Sequence, residues 1–370
     1  MSSPTSYKAA VLLSPKSRHT IETRSLPELK PDEVGIKIEA TAINPVDWKM
    51  RDYDLFLPGY PAILGSDASG TVVSLGSSVH NYSIGDRVFF QGILGTPQSS
   101  TFQQYCVMPS SLIAPIPTST SFEQAAGISL ATMAVAIAFY HTIGYGMTPP
   151  WSTGGEKFGK GKAIVILGGA SSVGQYAVQL AKLSGFEKIV TNSGLENIAM
   201  VKALGADIVL DRKVSGAREF VEAVGGMELA FVFDAISAPS TQRLGVEILQ
   251  AVEKRSADSC LVTLHTVHPD HPDPEAVKLG LKEGKENGNG NGKVEIRQVL
   301  GLGSQKDLRY LSEPLMRALG GEEGWIAKRK FVPNRVRVVE GGLGSVDEAL
   351  ELNRKGVSGV KVVVRPWDGE

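Results

Sequence analysis

Length, composition and charge already exclude several kinds of partner. The chain has 370 residues, 42% of them hydrophobic, and 38 basic residues against 39 acidic ones give a net charge of −1. Because a near-neutral chain offers no electrostatic attraction to polyphosphates or anionic lipids, we expect neither nucleic acid nor a membrane as a partner. The length predicts two domains, each large enough to bury its own core.

Signals for export or membrane insertion are not evident in the sequence. No apolar run approaches the roughly 18–20 residues of a membrane-spanning helix, and the polar start of the chain lacks an apolar signal core. Two distant cysteines, Cys106 and Cys260, fit a reducing compartment and are too few for a four-cysteine zinc site. We therefore expect a cytoplasmic protein.

The first region, to about residue 130, is rich in short strands separated by turns. Residues 34–42, 69–75 and 87–91 alternate between apolar and polar or small side chains, which is typical of half-buried strands. Their close spacing predicts a small barrel or sandwich.

The second region alternates strands with helices. Apolar runs predict strands over 163–167, 188–191, 207–210, 229–234, 260–264 and 294–300, and helical spacing predicts helices over 173–184 and 197–204. This pattern predicts a doubly wound parallel sheet of six strands. The Gly- and Pro-rich residues 149–162 are expected to link the domains, and the Asn-Gly tract at 287–292 to form a surface loop.

The third region is too short to fold as a domain of its own. It contains predicted strands over 334–339 and 360–364 and a helix over 345–353 that Ser345 would cap. We therefore predict that it completes the first domain. The domains would be 1–131 with 304–370, interrupted by the parallel-sheet domain over 132–303.

The strongest motif is a glycine loop, residues 168–174 with the sequence GGASSVG, placed between a predicted strand and a predicted helix. Gly169 is expected to permit the tight turn, Ser171 replaces the middle glycine of a G-x-G-x-x-G pattern, and Gly174 would let helix and strand approach closely. The N–H groups at the helix N-terminus, with hydroxyls from Ser171 and Ser172 and the backbone at Val173, would bind a pyrophosphate.

The end of the second strand bears on the choice of cofactor. NAD-preferring sites place an Asp or Glu about 20 residues after the loop, whereas this chain has Thr191, Asn192 and Ser193 there. A carboxylate would repel a 2′-phosphate, while Ser193, with Asn197 or Lys188, would tolerate one. No arginine clamp is visible in this segment, yet the pattern favours NADPH.

Several ordered motifs together resemble the medium-chain dehydrogenase/reductase superfamily. They are ATAINPVD at 40–47, LGSDASG at 64–70, GDRV at 85–88, the glycine loop, and GVSGVKVV at 356–363. The resemblance covers essentially the whole chain and implies a GroES-like catalytic domain interrupted by a Rossmann domain. It is greatest to the zinc-independent branch, which includes quinone oxidoreductases and fungal trans-acting enoyl reductases.

The chain departs from the zinc alcohol dehydrogenases at two ligand positions. Those enzymes carry a cysteine where this chain has Asn44 and a histidine where it has Ser66, and neither replacement is a plausible zinc donor. Three histidines, His265, His268 and His271, are spaced three apart, but two prolines disfavour a helix that would bring them together. We expect no metal, and His265 is the one expected to touch the cofactor.

The resemblance also indicates candidate catalytic residues. Lys49 and Tyr53 follow the turn that carries polar side chains to the active-site cleft in the family, and either could donate to a substrate carbonyl. Asn44 would position the ribose or the substrate. A threonine or serine approaches the nicotinamide in related reductases, which assigns Thr132 to the cofactor site.

Three functions stay open at this point. The first is an NADPH-dependent reductase of enoyl, enone or quinone substrates, including small molecules carried on an acyl carrier or arising in secondary metabolism. The second is a zinc-free alcohol or carbonyl oxidoreductase, and the third is a non-catalytic NADPH-binding protein. The sequence does not decide between a monomer and a homodimer.

Overall fold

The computed structural model describes residues 6–265, 271–281 and 293–369. The strands are β1 (Ser6–Leu12), β2 (His19–Ser25), β3 (Glu33–Ala42), β4 (Ala62–Ile63), β5 (Asp67–Leu75), β6 (Arg87–Gln91), β7 (Tyr105–Pro109), β8 (Ile113–Pro115), β9 (Lys162–Leu167), β10 (Lys188–Ser193), β11 (Ile208–Asp211), β12 (Glu228–Asp234), β13 (Cys260–Leu264), β14 (Glu295–Val299), β15 (Arg335–Val339) and β16 (Val360–Val364). The helices are α1 (Pro45–Tyr53), α2 (Phe122–Ala126), α3 (Ser129–Tyr140), α4 (Ser172–Leu183), α5 (Ile198–Ala203), α6 (Ala217–Val224), α7 (Pro239–Ala251), α8 (Pro274–Leu281), α9 (Arg309–Leu319) and α10 (Val346–Arg354).

Contacts between residues divide the chain into two compact units. Unit 1 comprises Met1–Leu130 and Gly303–Glu370, and unit 2 comprises Ala131–Leu302. Residues 149–162 lie inside unit 2, so the prediction that they link two domains is wrong. Their main chain is tied to that unit by hydrogen bonds such as the one from the Gly159 N–H to the Ser184 carbonyl.

Unit 2 contains the predicted doubly wound sheet. Its six strands are all parallel, in the order β11-β10-β9-β12-β13-β14. The first strand in the chain, β9, is central, and successive strands are added first on one side of it and then on the other. The connections therefore diverge between β9 and β12, the place where open α/β sheets bind their ligands, beyond the carboxyl ends of the strands.

Unit 1 is strand-rich, as the sequence predicts. One sheet has the order β15-β16-β3-β5-β6-β8 with β7 also paired to β3, and a smaller sheet has the order β2-β1-β4. The inner strand β16 pairs with β15 in parallel and with β3 antiparallel. The third region of the sequence therefore completes the sheet that the first region begins.

Two local expectations are wrong: that Ser345 caps α10, and that no apolar run approaches the length of a membrane-spanning helix. Ser345 stands at the N-cap position of α10, but its hydroxyl donates to the carbonyl of Gly342 at 2.7 Å and makes no side-chain cap. The helical stretch Phe122–Tyr140 is long and apolar enough to cross a membrane by length and composition, although Glu123 and the break at Gly127 obscure this in the sequence. Because 78% of its most apolar window is buried inside the protein, its apolar side chains already pack against protein.

Two predictions fall wholly or partly on residues that cannot be compared with the structure. The Asn-Gly tract at 287–292 and His268 lie outside the described residues.

Candidate functional site

The glycine loop of unit 2 connects the carboxyl end of β9 to the first turn of α4. Gly168 has a φ of 86°, which favours glycine, and its N–H donates to the Asn192 side-chain oxygen at 2.8 Å. A Cβ on Gly174 would lie 2.1 Å from the Gly168 carbonyl oxygen, so a larger residue would push the helix away from the loop. The loop is therefore a main-chain cradle at a helix N-terminus, which fits the pyrophosphate of a dinucleotide.

The roles of individual loop residues differ in part from those predicted. The tight turn is made by Gly168 and not by Gly169, whose φ is not positive and whose N–H donates to the Asn192 carbonyl at 3.0 Å. Ser171 is the N-cap of α4, and its Oγ accepts from the Gly174 N–H at 3.0 Å. Ser172 and Val173 form the first turn of the helix, next to the cradle.

Of the predicted 2′-phosphate residues, Ser193 ends β10, Asn197 follows the strand and Lys188 begins it. Ser193 is buried, and its hydroxyl donates to the Gly194 carbonyl at 2.9 Å. Asn197 is also buried, and its amide donates to Glu196 at 3.2 Å. Lys188 begins the same strand, roughly 17 Å from Ser193 at about 3.3 Å per residue, so it lies at the amino end of the strands, opposite to Ser193. Lys188 is therefore not a neighbour of this site.

Sequence reasoning missed a cation at this edge. The register of β10 and β11 pairs Ser193 with Asp211, and the N–H of the next residue, Arg212, donates to the Ser193 carbonyl at 2.9 Å. The Arg212 side chain is exposed. The main chain of an arginine therefore lies beside Ser193, but Arg212 directly follows the third strand of unit 2, and only the strand register shows that the two are adjacent.

Thr132 and His265 lie in other parts of unit 2. Thr132 is fully buried in α3. His265 is exposed directly after β13, its N–H donates to the Val299 carbonyl at 2.8 Å, and its ring centroid is 6.0 Å from that of His271. Within residues 6–265, 271–281 and 293–369, no three His, Cys, Asp or Glu side chains are grouped so that they could hold a metal ion.

Unit 1 contains a buried polar cluster around Asn44, at the N-cap of α1. The Asn44 amide nitrogen donates to the Ser66 hydroxyl at 3.1 Å and to Asp67 Oδ2 at 2.9 Å. The Asn44 side-chain oxygen accepts from Lys361 Nζ, and its main-chain N–H donates to Asp47 Oδ2 at 2.7 Å. Both N–H groups of the amide are therefore used within the protein, and Asn44 has none left for a substrate.

The cluster brings two carboxyl groups and one ammonium group together away from water. Burial raises the pKa of Asp47 to about 7 and that of Asp67 to about 6, and the Lys361 ammonium opposes both shifts. Burial lowers the pKa of Lys361, against the attraction of Asp67 and Asp47. Lys361 Nζ lies 3.8 Å from Asp67 Oδ2, and both side chains are almost completely buried.

Lys49 and Tyr53 lie outside this cluster, on α1. Lys49 Nζ is 5.5 Å from the centroid of the Trp48 ring, and the Tyr53 ring centroid is 6.3 Å from the same ring. Lys49 is half-buried, and burial lowers its pKa with no carboxylate contributing to the shift. Tyr53 is 58% exposed. Lys49 is thus a partly desolvated cation whose donors face no acid among the described residues.

Asp67 and Lys361 were not assigned any role from the sequence. A signal was present for Lys361, since it is the one charged residue in a strand of valines, residues 360–364. A lysine in such a strand must find buried partners. Asp67 gave no comparable signal, because acidic residues near turns are common.

Comparison with known families and structures agrees with this architecture. Residues 30–118 match the alcohol dehydrogenase GroES-like domain, and residues 172–253 match the zinc-binding dehydrogenase family. A trans-enoyl reductase of Aspergillus flavipes is 32% identical over 97% of this chain and 98% of its own length. Among solved structures, the quinone oxidoreductase of Coxiella burnetii has a TM-score of 0.68 and 22% identity over 97% of this chain and 99% of its own. The enoyl reductase CurK has a TM-score of 0.70 and 17% identity over 98% and 99% of the two chains.

A Rossmann sheet within a GroES-like unit, with a cradle for a dinucleotide, defines a nicotinamide-dependent oxidoreductase. The chain belongs to the medium-chain dehydrogenase/reductase superfamily, in its zinc-independent branch.

Proposed function

We propose that this protein is an NADPH-dependent reductase of carbon–carbon double bonds conjugated to a carbonyl group. The single observation that carries the proposal is the hydrogen bond between Asn44 and Ser66 inside a cluster that contains its own cation, Lys361. The side chains at these positions are an amide and a hydroxyl bonded to each other, a donor set unsuited to Zn²⁺. Reduction of a conjugated double bond suits such a site, because the negative charge spreads onto a carbonyl oxygen.

The names of the relatives support the same substrate class. The Aspergillus flavipes relative is a trans-enoyl reductase, and CurK is an enoyl reductase. We therefore infer that the substrate of this chain is a 2-enoyl thioester or an enone, free or attached to an acyl carrier.

Lys49 is the residue proposed to act on the substrate carbonyl. When bound, a reduced nicotinamide supplies a hydride to the β-carbon of the double bond. The Lys49 ammonium donates a hydrogen bond to the carbonyl oxygen, where negative charge accumulates, and the α-carbon then takes a proton from solvent water. A half-buried ammonium without a carboxylate partner among the described residues is suited to this task, because no internal ion pair has to be broken first.

Arg212 supports NADPH over NADH. The main chain of this exposed residue is hydrogen-bonded to Ser193, at the carboxyl end of the strands, where the glycine loop also lies. A guanidinium binds phosphate through two parallel hydrogen bonds, which favours a cofactor that carries a 2′-phosphate. The proposed 2′-phosphate site therefore consists of Arg212 and the main chain at Ser193, to which it is hydrogen-bonded.

The test is the oxidation of NADPH by the purified full chain with a 2-enoyl thioester, an enone, a quinone or an aldehyde. Turnover of the enoyl thioester or the enone supports the proposal. Turnover of the aldehyde alone would identify a carbonyl reductase, and tight NADPH binding without any turnover would indicate a cofactor-binding protein, so either result overturns it. The Lys355→Met variant, which changes an exposed lysine after α10, is the matched control for substitutions of Lys49.

A further inference from the structure

We propose that Lys361 is a positioning residue: it fixes the direction of a buried hydrogen-bond chain that ends at the N-terminus of α1, the helix that carries Lys49. This inference deepens the proposed function and rests on it for the role of Lys49. It concerns a residue of β16, far in sequence from α1.

The direction of the chain follows from the donors present. An ammonium group can only donate, so the Asn44 side-chain atom that meets Lys361 must be the oxygen. The amide nitrogen then faces Ser66 and Asp67 and donates to both. Because the Ser66 oxygen accepts from Asn44, the Ser66 hydroxyl must direct its own hydrogen elsewhere. Burial raises the pKa of Asp47, and a hydrogen bond from the Ser66 hydroxyl opposes that shift.

Asp47 connects the chain to the helix. Its Oδ2 accepts from the Asn44 main-chain N–H at 2.7 Å, which is one half of a capping box at the first turn of α1; the Asn44 side chain makes no cap hydrogen bond. Lys49 lies two residues further along the same helix. The orientation of the Asn44 amide is thereby transmitted to the turn from which Lys49 projects.

The absence of a side chain at Gly127 leaves space for the Lys361 side chain beside Asn44. A Cβ on Gly127 would lie 2.7 Å from Lys361 Cγ, so the glycine at the end of α2 makes room for the lysine stem. The pairing of Val363 with Ala42 places the strand beside the segment that enters α1, and the Ile43 N–H donates to the Val362 carbonyl at 2.9 Å. The ammonium group therefore reaches Asn44 from a rigid sheet.

Without Lys361, the amide can turn over. In Lys361→Met the Asp67 carboxylate loses its counter-charge, which destabilises the unit. In the double variant Lys361→Met/Asp67→Asn the ionisable group left in the cluster is Asp47, whose raised pKa of about 7 keeps it mostly protonated below that pH. The Leu130 main-chain N–H donates to Asp67 Oδ1 at 2.8 Å, so the new amide at position 67 keeps its oxygen there and presents an N–H where Asp67 Oδ2 accepted. The Asn44 amide must then reverse, so that its oxygen faces Ser66. The Ser66 hydroxyl then donates to this oxygen instead of to Asp47.

The experiment compares wild type, Lys361→Met, the double variant and the control Lys355→Met. For the double variant we expect thermal stability near wild type, an unchanged Kd for NADPH, and a kcat reduced roughly 10- to 100-fold, the scale of a small misplacement of a catalytic group. NMR should show a changed Asn44 side-chain amide signal and a higher pKa for Asp47. Lys355→Met should match wild type in every measurement.

Two results would overturn the positioning role. One is a double variant whose kcat recovers together with its stability, which would leave Lys361 as a charge partner of Asp67 only. The other is an Asn44 amide signal and an Asp47 pKa that match wild type. The NMR measurements need no substrate, so they test Lys361 even if the protein reduces none of the proposed substrates.

Discussion

The ammonium group of Lys361 donates to the side-chain oxygen of Asn44, although the two residues are 317 positions apart in the chain. The contact forms because β16 lies next to β3, and β3 ends at Ala42, two residues before Asn44 at the N-cap of α1. A residue near the end of the sequence thus determines how the first helix begins. The predictions below test this cluster and the cofactor site separately.

Replacing Lys49 should remove most of the activity. For Lys49→Met we expect kcat/KM to fall roughly 10²- to 10⁴-fold, because the carbonyl oxygen loses its hydrogen-bond donor. Since burial lowers the pKa of Lys49, the alkaline limb of the pH–rate profile should lie below that of an ordinary lysine, and Lys49→Arg should move it upward. Tyr53→Phe, at a side chain 58% exposed, should change kcat less than about threefold. A Tyr53 variant as inactive as Lys49→Met would transfer the donor role to the tyrosine.

Arg212 should determine the choice of cofactor. We expect Arg212→Gln to raise the Kd for NADPH by roughly 10- to 100-fold, which corresponds to a hydrogen-bonded charge pair of about 1.5–3 kcal/mol. The Kd for NADH should be unchanged, because that cofactor lacks the 2′-phosphate. Fluorescence titration measures both constants without turnover. Lys160→Gln, an exposed lysine that precedes β9 at the opposite edge of the sheet, is the control, and equal effects of Arg212→Gln on both cofactors would place the phosphate elsewhere.

Gly174 should be intolerant of a side chain. A Cβ there would lie 2.1 Å from the Gly168 carbonyl oxygen, so Gly174→Ala should destabilise the protein by about 1–3 kcal/mol and weaken binding of both cofactors. Gly344→Ala, where a Cβ would meet nothing within 4 Å, should stay within about 0.5 kcal/mol of wild type. Chemical denaturation and cofactor titration give the two readouts. Unchanged cofactor binding in a destabilised Gly174→Ala variant would show that the loop does not contact the dinucleotide.

The pH dependence of stability should carry the signature of Asp47. Its pKa in the folded protein is raised to about 7, above the value of about 3.9 in an unfolded chain, so between these values the folded state holds a proton that the unfolded state has lost. The contribution of Asp47 to stability is therefore fully present below about pH 4 and is lost as the pH rises through about 7.

Asp47→Asn isolates this effect. The variant should show a flatter dependence of the unfolding free energy on pH between pH 4 and 7, by up to about 4 kcal/mol across the range. Asp67, whose pKa is raised to about 6, acts with the same sign and remains in the variant. If the slopes of wild type and variant coincide, Asp47 is ionised in the folded protein throughout this range.

The regular elements could be predicted from the sequence because their signals are local. The β6 strand has the predicted bounds, and the six strands of unit 2 were all expected, since buried parallel strands are continuous apolar runs. The glycine loop was recognisable for the same reason, although the tight turn belongs to Gly168. The capping role given to Ser345 failed because its hydroxyl finds a nearer carbonyl acceptor, which residue type alone does not reveal.

The missing parts of the site depend on contacts between distant residues. Arg212 becomes a neighbour of Ser193 only through the register of two parallel strands, and Lys361 reaches Asn44 only through the order of the strands in the larger sheet. No local pattern contains either pairing. Roles that rest on single side chains, such as those of Thr132 and His265, stay predictions.

The interrupted arrangement of unit 1 also sets an order of events during synthesis. Residues 131–302 leave the ribosome before β16 is synthesised, so the Rossmann sheet can fold while unit 1 is still incomplete. At about 5–20 residues per second, the stretch from residue 302 to Lys361 takes roughly 3–12 seconds to translate. During that interval Asp47 and Asp67 cannot be buried together with Lys361, and β3 lacks its neighbouring strand β16. The nascent chain therefore passes through a stage in which cofactor could already bind but the catalytic unit cannot form.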